Sequence, residues 1–245
     1  MVLEADHQGL LSKEHFTIDG TLIEASASLK SFKPKDGNPP SDDRDQGNPS
    51  VDFHGQKRSN ATHQNATDSE SRLCKKAKGK EAKLVLMAHA LIENRNGLVT
   101  DFQVTSAAGT AEFNVALVML GQAKERGFHA QTLGAVKGYD SRDCVAALRK
   151  REATPHRSQN TRGRRSVISG RTTQHPGRPM RQRIRTRMEE IFGWMKPEGG
   201  LRRATCHGLA KMSMAGCLVA TTHNLVRTAK LLVSAQEETP VTQAG

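Results

Sequence analysis

Two strand-length apolar runs joined by a four-residue bend limit what this chain can fold into. Lys83–Glu93 (KLVLMAHALIE) and Leu98–Ser106 flank Asn94–Gly97, and an Asn-Arg-Asn-Gly bend between such runs reads as a hairpin. From there helix and strand patterns alternate. Thr110 caps a helix over Ala111–Arg126 that carries Phe113, Ala116, Leu117 and Leu120 on one side, and Gly127 ends it. Gln131–Val136 is a short apolar strand. Gly138–Ser141 is a turn whose Asp140 or Ser141 caps a helix to about Arg151, and Thr154–Ser158 is a further short strand. Upstream, His15–Ala25 (HFTIDGTLIEA) alternates Phe16 and Ile18 with Thr17 and Asp19. It reads as a strand with an aspartate where strand propensity disfavours one. A hairpin followed by βα alternation predicts an α/β fold, with a mixed sheet and helices on both faces.

Between the first strand and the hairpin, Lys30 to about Lys80 is rich in Pro, Gly, Asp and Ser (PKDGNPPSDDRDQGNPS) and reads as a long surface insertion. His54 and His63 within it have no Cys or carboxylate at ligand spacing, which disfavours a metal site. Cys74, Cys144, Cys206 and Cys217 form no C-x-x-C pair. They read as reduced thiols of a cytoplasmic protein, not as a disulfide framework or a zinc site. Met1–Leu11 has Glu4 and Asp6 where a signal peptide needs a basic start and an apolar run. The most apolar stretch, Met212–Val226, is interrupted by Ser213, Thr221, Thr222, His223 and Asn224 and is too polar to span a bilayer.

Charge is distributed unevenly. The chain of 245 residues has a formal net charge of +12, all of it between Arg142 and Arg203, where 17 Lys and Arg face 5 Asp and Glu. A basic block of this size, mostly arginine, suits a phosphate-binding surface. The alternative, a solvated basic tail, fits less well because helix and strand patterns run through the block. Within it, Gln182–Lys196 (QRIRTRMEEIFGWMK) puts Ile184, Met188, Ile191 and Met195 at the i, i+4, i+7, i+11 spacing of one helix face. Arg185, Glu189, Phe192 and Lys196 repeat that spacing one residue later, roughly 100° around the helix. One face can lie on a core while the next holds a carboxylate between two cations. Read alone, the same pattern is a solvated helix with an i,i+4 Arg–Glu pair. After a Gly199-Gly200 break, a last helix covers roughly Leu209–Leu232.

HFTIDGT on the first strand, GxxKGYDSRD after the fourth, and R-x-x-x-E-x-x-x-x-x-x-K on the late helix together resemble the DDE transposases of bacterial insertion sequences. The chain is most similar to the transposase DDE domain of the insertion-sequence four and five groups. VDFHGQKRSNATH and QRIRTRMEEIFGWMK…GGLRR look like the type-five group. The resemblance covers about Lys13 to Leu232. It implies an RNase-H-like mixed sheet flanked by helices, with a long loop insertion after the first strand. On that reading residues 1–12 are an N-terminal remnant, 13–235 the catalytic domain with its insertion at 30–80, and 236–245 a flexible tail. Acidic residues from strand one, strand four and the late helix would hold Mg²⁺ (or Mn²⁺) for phosphodiester cleavage and strand transfer. Asp19 and Glu189 match two of these catalytic, metal-binding positions. Arg185 and Lys196 would contact the phosphate backbone, with Lys137, Arg181, Arg183 and Arg187 adding to DNA binding. The implied partner is DNA, both transposon ends and target; a homodimer stays open; no membrane is involved; the location is the cytoplasm, on the nucleoid.

Three departures from the family pattern bear on activity. The slot before Lys-Gly-Tyr-Asp holds aspartate in the family and Val136 here, so the second carboxylate is missing. Asp140 lies four residues on, about 13 Å of extended chain at ~3.3 Å per residue, too far to replace it without refolding the strand end. Gln182 stands where the family has a tyrosine, and about fifteen residues precede the first acidic strand where the family has a helical end-binding region. An active transposase and a DNA-binding remnant that has lost its chemistry are therefore the two readings. A generic RNA-binding protein fits poorly, because aromatics for base stacking make up only 4% of the chain.

Overall fold

The computed structural model describes residues 1–35, 52–53, 56–75, 80–108, 111–135, 142–157 and 178–237. In chain order the first elements are α1 (Val2–His7), β1 (His15–Glu24), a 3₁₀ turn (Leu29–Ser31), β2 (Phe32–Pro34), β3 (Asp52–Phe53), β4 (Gln56–Lys57), β5 (His63–Asn65) and β6 (Arg72–Lys75). There follow β7 (Ala82–Glu93), β8 (Val99–Ser106), α2 (Ala111–Glu125), β9 (Thr132–Ala135), α3 (Arg142–Lys150) and β10 (Thr154–Arg157). Two helices complete the order, α4 (Arg178–Met195) and α5 (Leu209–Glu237).

β7 is buried at every position except Lys83, as its continuous apolar run requires of a strand covered on both faces. It pairs antiparallel with β1 from Phe16↔Glu93 to Glu24↔Val85. It also pairs antiparallel with β8, with an irregularity between Leu91 and Ile92. β9 runs parallel to β1, and β10 parallel to β9. The resulting order, β8-β7-β1-β9-β10, is antiparallel over its first three strands and parallel over the rest. That is the mixed sheet, flanked by helices, that the sequence predicts.

Strand alternation sorts the two faces. Phe16, Ile18, Leu91 and Leu133 pack with Val115, Ala116, Met119, Leu120 and Ala123 of α2 and Leu148 of α3. On the other face Ile23, Leu86, Ala88, Ala90 and Phe102 pack with Met188, Ile191, Phe192 and Met195 of α4 and Met212 and Ala220 of α5. The expected apolar stripe of α4 is thus the packed one at Met188, Ile191 and Met195. Phe192, placed by spacing with the charged set, joins the core instead. The side chains of Ile184 and Phe113 lie outside the described residues.

The insertion departs from a plain surface loop. β2 pairs with β5, and β6 adds to the main sheet against Ala82–Val85 of β7. Polar side chains do here what a ladder does elsewhere. Asn65 Oδ1 accepts the amides of Thr67 and Asp68, its Nδ2 donates to Ser28 O, and Ser71 Oγ donates to Asp68 O. Turn-forming composition therefore hides short strands, because Asn, Asp and Ser satisfy buried backbone groups locally. His63 is stacked on Phe32 with ring centroids 5.4 Å apart. His54 lies outside the described residues.

α5 covers the exposed backbone of β8 by direct bonding. Asn224, buried, accepts Val99 N–H at 2.8 Å and donates to Val99 C=O at 2.7 Å. Ser213 Oγ accepts the Val104 amide. The approach is close enough that a Cβ on Gly216 would stand 1.9 Å from the Phe102 ring, so only glycine fits there. No described helix is long and apolar enough to cross a membrane.

One buried histidine makes stability depend on pH. His89 of β7 is fully buried; Nε2 bonds Thr105 Oγ1 at 2.9 Å and Nδ1 has no partner among the described residues. Burial pushes its pKa down to about 4. The folded value lies below the unfolded one near 6.5, so the folded state binds fewer protons between the two. Stability is therefore lost as pH falls through that window, by up to about 3 kcal/mol. Burial lowers His63 and His223 in the same sense, while it raises Asp101 and works the other way at the acid end. Thermal melts of the chain and of His89→Gln between pH 7 and pH 4 should show a shallower acid loss in the variant. Parallel curves would remove His89 as the cause.

Candidate active site

Asp19 sits at the middle of β1, where the sheet is best supported: its partner across the antiparallel pair is Ala90 of β7. Residues directly opposite share a face. Ala90 belongs to the core under α4 and α5, and so does Ile23, four residues along β1. Asp19 therefore projects on the α4 side. Its Oδ1 accepts the Gly20 amide at 2.8 Å, which helps orient the half-buried carboxylate.

Thr17 shares this face two residues earlier. Its Oγ1 donates to Asn94 Oδ1 at 2.8 Å. On its other side is Gly134 of β9, where a Cβ would come within 2.5 Å of Thr17 Oγ1. Ala135, the last described residue of β9, pairs with Ile18, the residue before Asp19. Thr17, Asn94 and Gly134 were not singled out by the sequence: Asn94 read as part of a hairpin bend and Gly134 as part of a short strand, and only the tertiary structure brings both against Thr17. Val136, Lys137 and Asp140 lie outside the described residues.

α4 crosses this face, packs against β1 and buries Met188, Ile191, Phe192 and Met195 beneath it. Glu189 follows Met188 by one helical step and precedes Phe192 by three, at the edge of the packed stripe, where it is exposed. Lys196 lies on that same flank, half-buried. Asp19 and Glu189 thus stand on one side of the sheet. The side chains of Arg181, Gln182, Arg183 and Arg185 lie outside the described residues.

Arg187 is on the other flank of α4, half-buried. Its Nη1 donates to the carbonyls of Asn94 and Arg95, so this guanidinium ties the helix to the hairpin bend. That bend is itself held by Glu93, a fully buried carboxylate. Its Oε1 accepts the amides of Asn96 and Leu98, and its Oε2 those of Ser12 and Arg95, at 2.6–3.2 Å. Glu93 reads in sequence as the end of a strand, and nothing there marks the four donors it collects.

The sequence model of a family described as Transposase DDE domain matches residues 11–225. The chain belongs to that transposase family. No curated protein matches the sequence. Among solved structures, the transposase domain is similar to a chain in the crystal structure of a pre-cleavage Mos1 transpososome, at 10% identity and a TM-score of 0.30. That alignment covers 90% of this chain and 58% of the other.

As a donor set for a divalent ion, the transposase domain offers Asp19 and Glu189 on one side of the sheet. Among the described residues no group of three or more His, Cys, Asp and Glu gathers as a metal site. Two carboxylates fit one Mg²⁺, a hard ion that keeps several waters and takes one or two carboxylates beside substrate oxygens. They do not fill the shells of an ion pair.

Proposed function

We propose that this chain is a DNA-handling transposase domain whose cleavage chemistry is impaired at Val136. What supports the reading is Asp19 on the sheet face that α4 covers, next along β1 to the residue paired with Ala135, and Glu189 on α4 itself, in a chain of the transposase family. Asp19, held by the Gly20 amide, is the ligand from the sheet; Glu189 is the ligand from the helix. Together they bind one Mg²⁺ or Mn²⁺. When bound, such an ion would polarise a phosphoryl oxygen and favour attack on phosphorus at neutral pH. Lys196, on the flank of Glu189, and Arg185, one helical turn before it, hold phosphate oxygens next to the carboxylates. Val136 follows Ala135 directly, and its isopropyl group offers no oxygen where the family has a carboxylate. The second reading, a remnant that binds DNA without cutting it, is favoured by that same valine. The substrate in either case is duplex DNA, gripped through the arginine-rich block.

The test has two arms. Binding to duplex DNA should show little sequence preference and weaken about a thousandfold or more between roughly 50 and 200 mM salt, the loss for six or more neutralised phosphates. Supercoiled plasmid should stay intact in Mg²⁺. Salt-indifferent binding would remove the phosphate surface, and efficient Mg²⁺-dependent nicking by the unmodified chain would remove the impairment. Reversal of Arg181 and Arg183 to glutamate probes the surface more cleanly than any change that includes Arg187, which also ties α4 to the hairpin.

A further inference from the structure

A cavity of about 240 Å³ opens on the flank of α4 opposite Glu189, between that helix, α5 and the hairpin bend. One wall is Trp194 of α4, half-exposed and edge-on to His223 of α5, with ring centroids 5.5 Å apart. Arg187, Arg227 and Lys230 line it against a single acid, Glu190. Both arginines are already braced: Arg187 through Asn94 and Arg95, and Arg227 through Nε to Asn96 C=O at 2.9 Å. Each guanidinium carries five N–H donors, so a braced fork still has donors to aim at a ligand, and its ordering entropy is already spent. Burial lowers the pKa of His223, and the charge of the cavity at neutral pH comes from the two arginines and the lysine.

Two braced arginines and a lysine recognise a phosphate. The indole beside them takes a planar ring, the combination by which proteins hold nucleotides without reading sequence. The volume decides how much of a ligand enters: the cavity is smaller than the about 300 Å³ at which pockets for whole drug-sized ligands begin. It admits part of a larger molecule. A base within a duplex keeps both faces stacked and cannot meet an indole, so the nucleotide must be unpaired.

We infer that this cavity holds one nucleotide of a single-stranded DNA segment, its phosphate on Arg227 and Lys230 and its base against Trp194. The phosphate-and-ring chemistry stands on the cavity alone; the choice of a DNA strand over a free nucleotide rests on the function proposed above. The site lies on the flank of α4 opposite Glu189, and its occupation requires no cleavage.

Trp194 is the only tryptophan of the chain, so its fluorescence reports this cavity and no other place. The probes are a short single-stranded DNA oligonucleotide, deoxyadenosine monophosphate and inorganic phosphate, each titrated into the full chain. The oligonucleotide should quench Trp194 and bind at least tenfold more tightly than the mononucleotide, and phosphate alone should leave the emission almost unchanged. Lys230→Glu, at an exposed position, should weaken the oligonucleotide response at least tenfold with an unchanged melting curve. Glu190→Gln should strengthen it. Equal affinity for oligonucleotide and mononucleotide would make this a free-nucleotide site and overturn the inference. So would a response that is absent, or one that survives both Lys230→Glu and Arg227→Lys. Retardation of duplex DNA in a gel, measured on the same proteins, separates the two claims: its absence overturns the DNA reading, whereas retardation without a Trp194 response overturns only the cavity assignment.

Discussion

Val136→Asp should give a chain that nicks supercoiled DNA with Mg²⁺, at a rate about a hundredfold or more above the unmodified protein. That gain corresponds to about 3 kcal/mol of barrier, within what one added Lewis-acid contact supplies. The motive is positional. Ala135 of β9 pairs with Ile18, and Asp19 is the next residue of β1, on the face that α4 covers. A carboxylate at position 136 would follow directly, with Lys137 beside it in sequence to keep it ionised. Valine and aspartate are close in volume, so the exchange asks little of packing. Glu189→Gln or Asp19→Asn placed on top of Val136→Asp should abolish the nicking. Mn²⁺ binding followed by paramagnetic resonance gives a readout that does not depend on turnover: one ion in the unmodified chain, two in Val136→Asp, and a loss with either second change. An aspartate variant that binds no additional ion would place the second acid elsewhere.

The largest expected loss of stability follows from Glu93→Ala. This carboxylate is fully buried and accepts four backbone amides, from Ser12, Arg95, Asn96 and Leu98. Truncation leaves those donors without an acceptor in a place water reaches poorly, at a cost of about 3–5 kcal/mol after the bend relaxes. For a chain of this size that is roughly a 6–20 °C fall in melting temperature. Glu93→Gln should fall between, since its amide nitrogen cannot accept the two amides that one carboxylate oxygen takes. The damage should reach the candidate site as well, because Asn94 follows Glu93 and its side chain meets Thr17 beside Asp19. Hydrogen exchange should show the Asn94–Gly97 amides opening first. A loss under about 1 kcal/mol would mean that the hairpin bend holds itself without the carboxylate.

The legible parts of this fold are those where one face or one run decides the outcome. The apolar run at Lys83–Glu93 read as one arm of a hairpin and is a strand, and the stripe through Met188, Ile191 and Met195 read as a core-facing helix side and is buried. The candidate carboxylates were legible only through the family resemblance: an aspartate in mid-strand is disfavoured by propensity, but an exposed glutamate beside a packed stripe reads equally as a solvated helix flank. The insertion was not legible, because residues that signal turns also satisfy short strands locally. Nor was Glu93, one of whose donors, Ser12, lies 81 residues away in sequence.

By itself the sequence determined the mixed α/β architecture, the order of its main elements and the basic block. These depend on period, spacing and side-chain chemistry, which are local. Only the tertiary structure decided which way each side chain faces when more than one answer buries enough surface. α5 shows the reason. Met214, Leu218, Leu225 and Leu232 are the larger apolar residues, and hydrophobicity alone would bury them, yet they are exposed. The buried stripe is Met212, Gly216, Ala220 and Asn224. Gly216 lets the helix approach the Phe102 ring, and Asn224 satisfies both backbone groups of Val99. The small residues of that stripe let α5 lie close on β8, and the buried Asn224 answers backbone groups that an apolar side chain would leave unpaired.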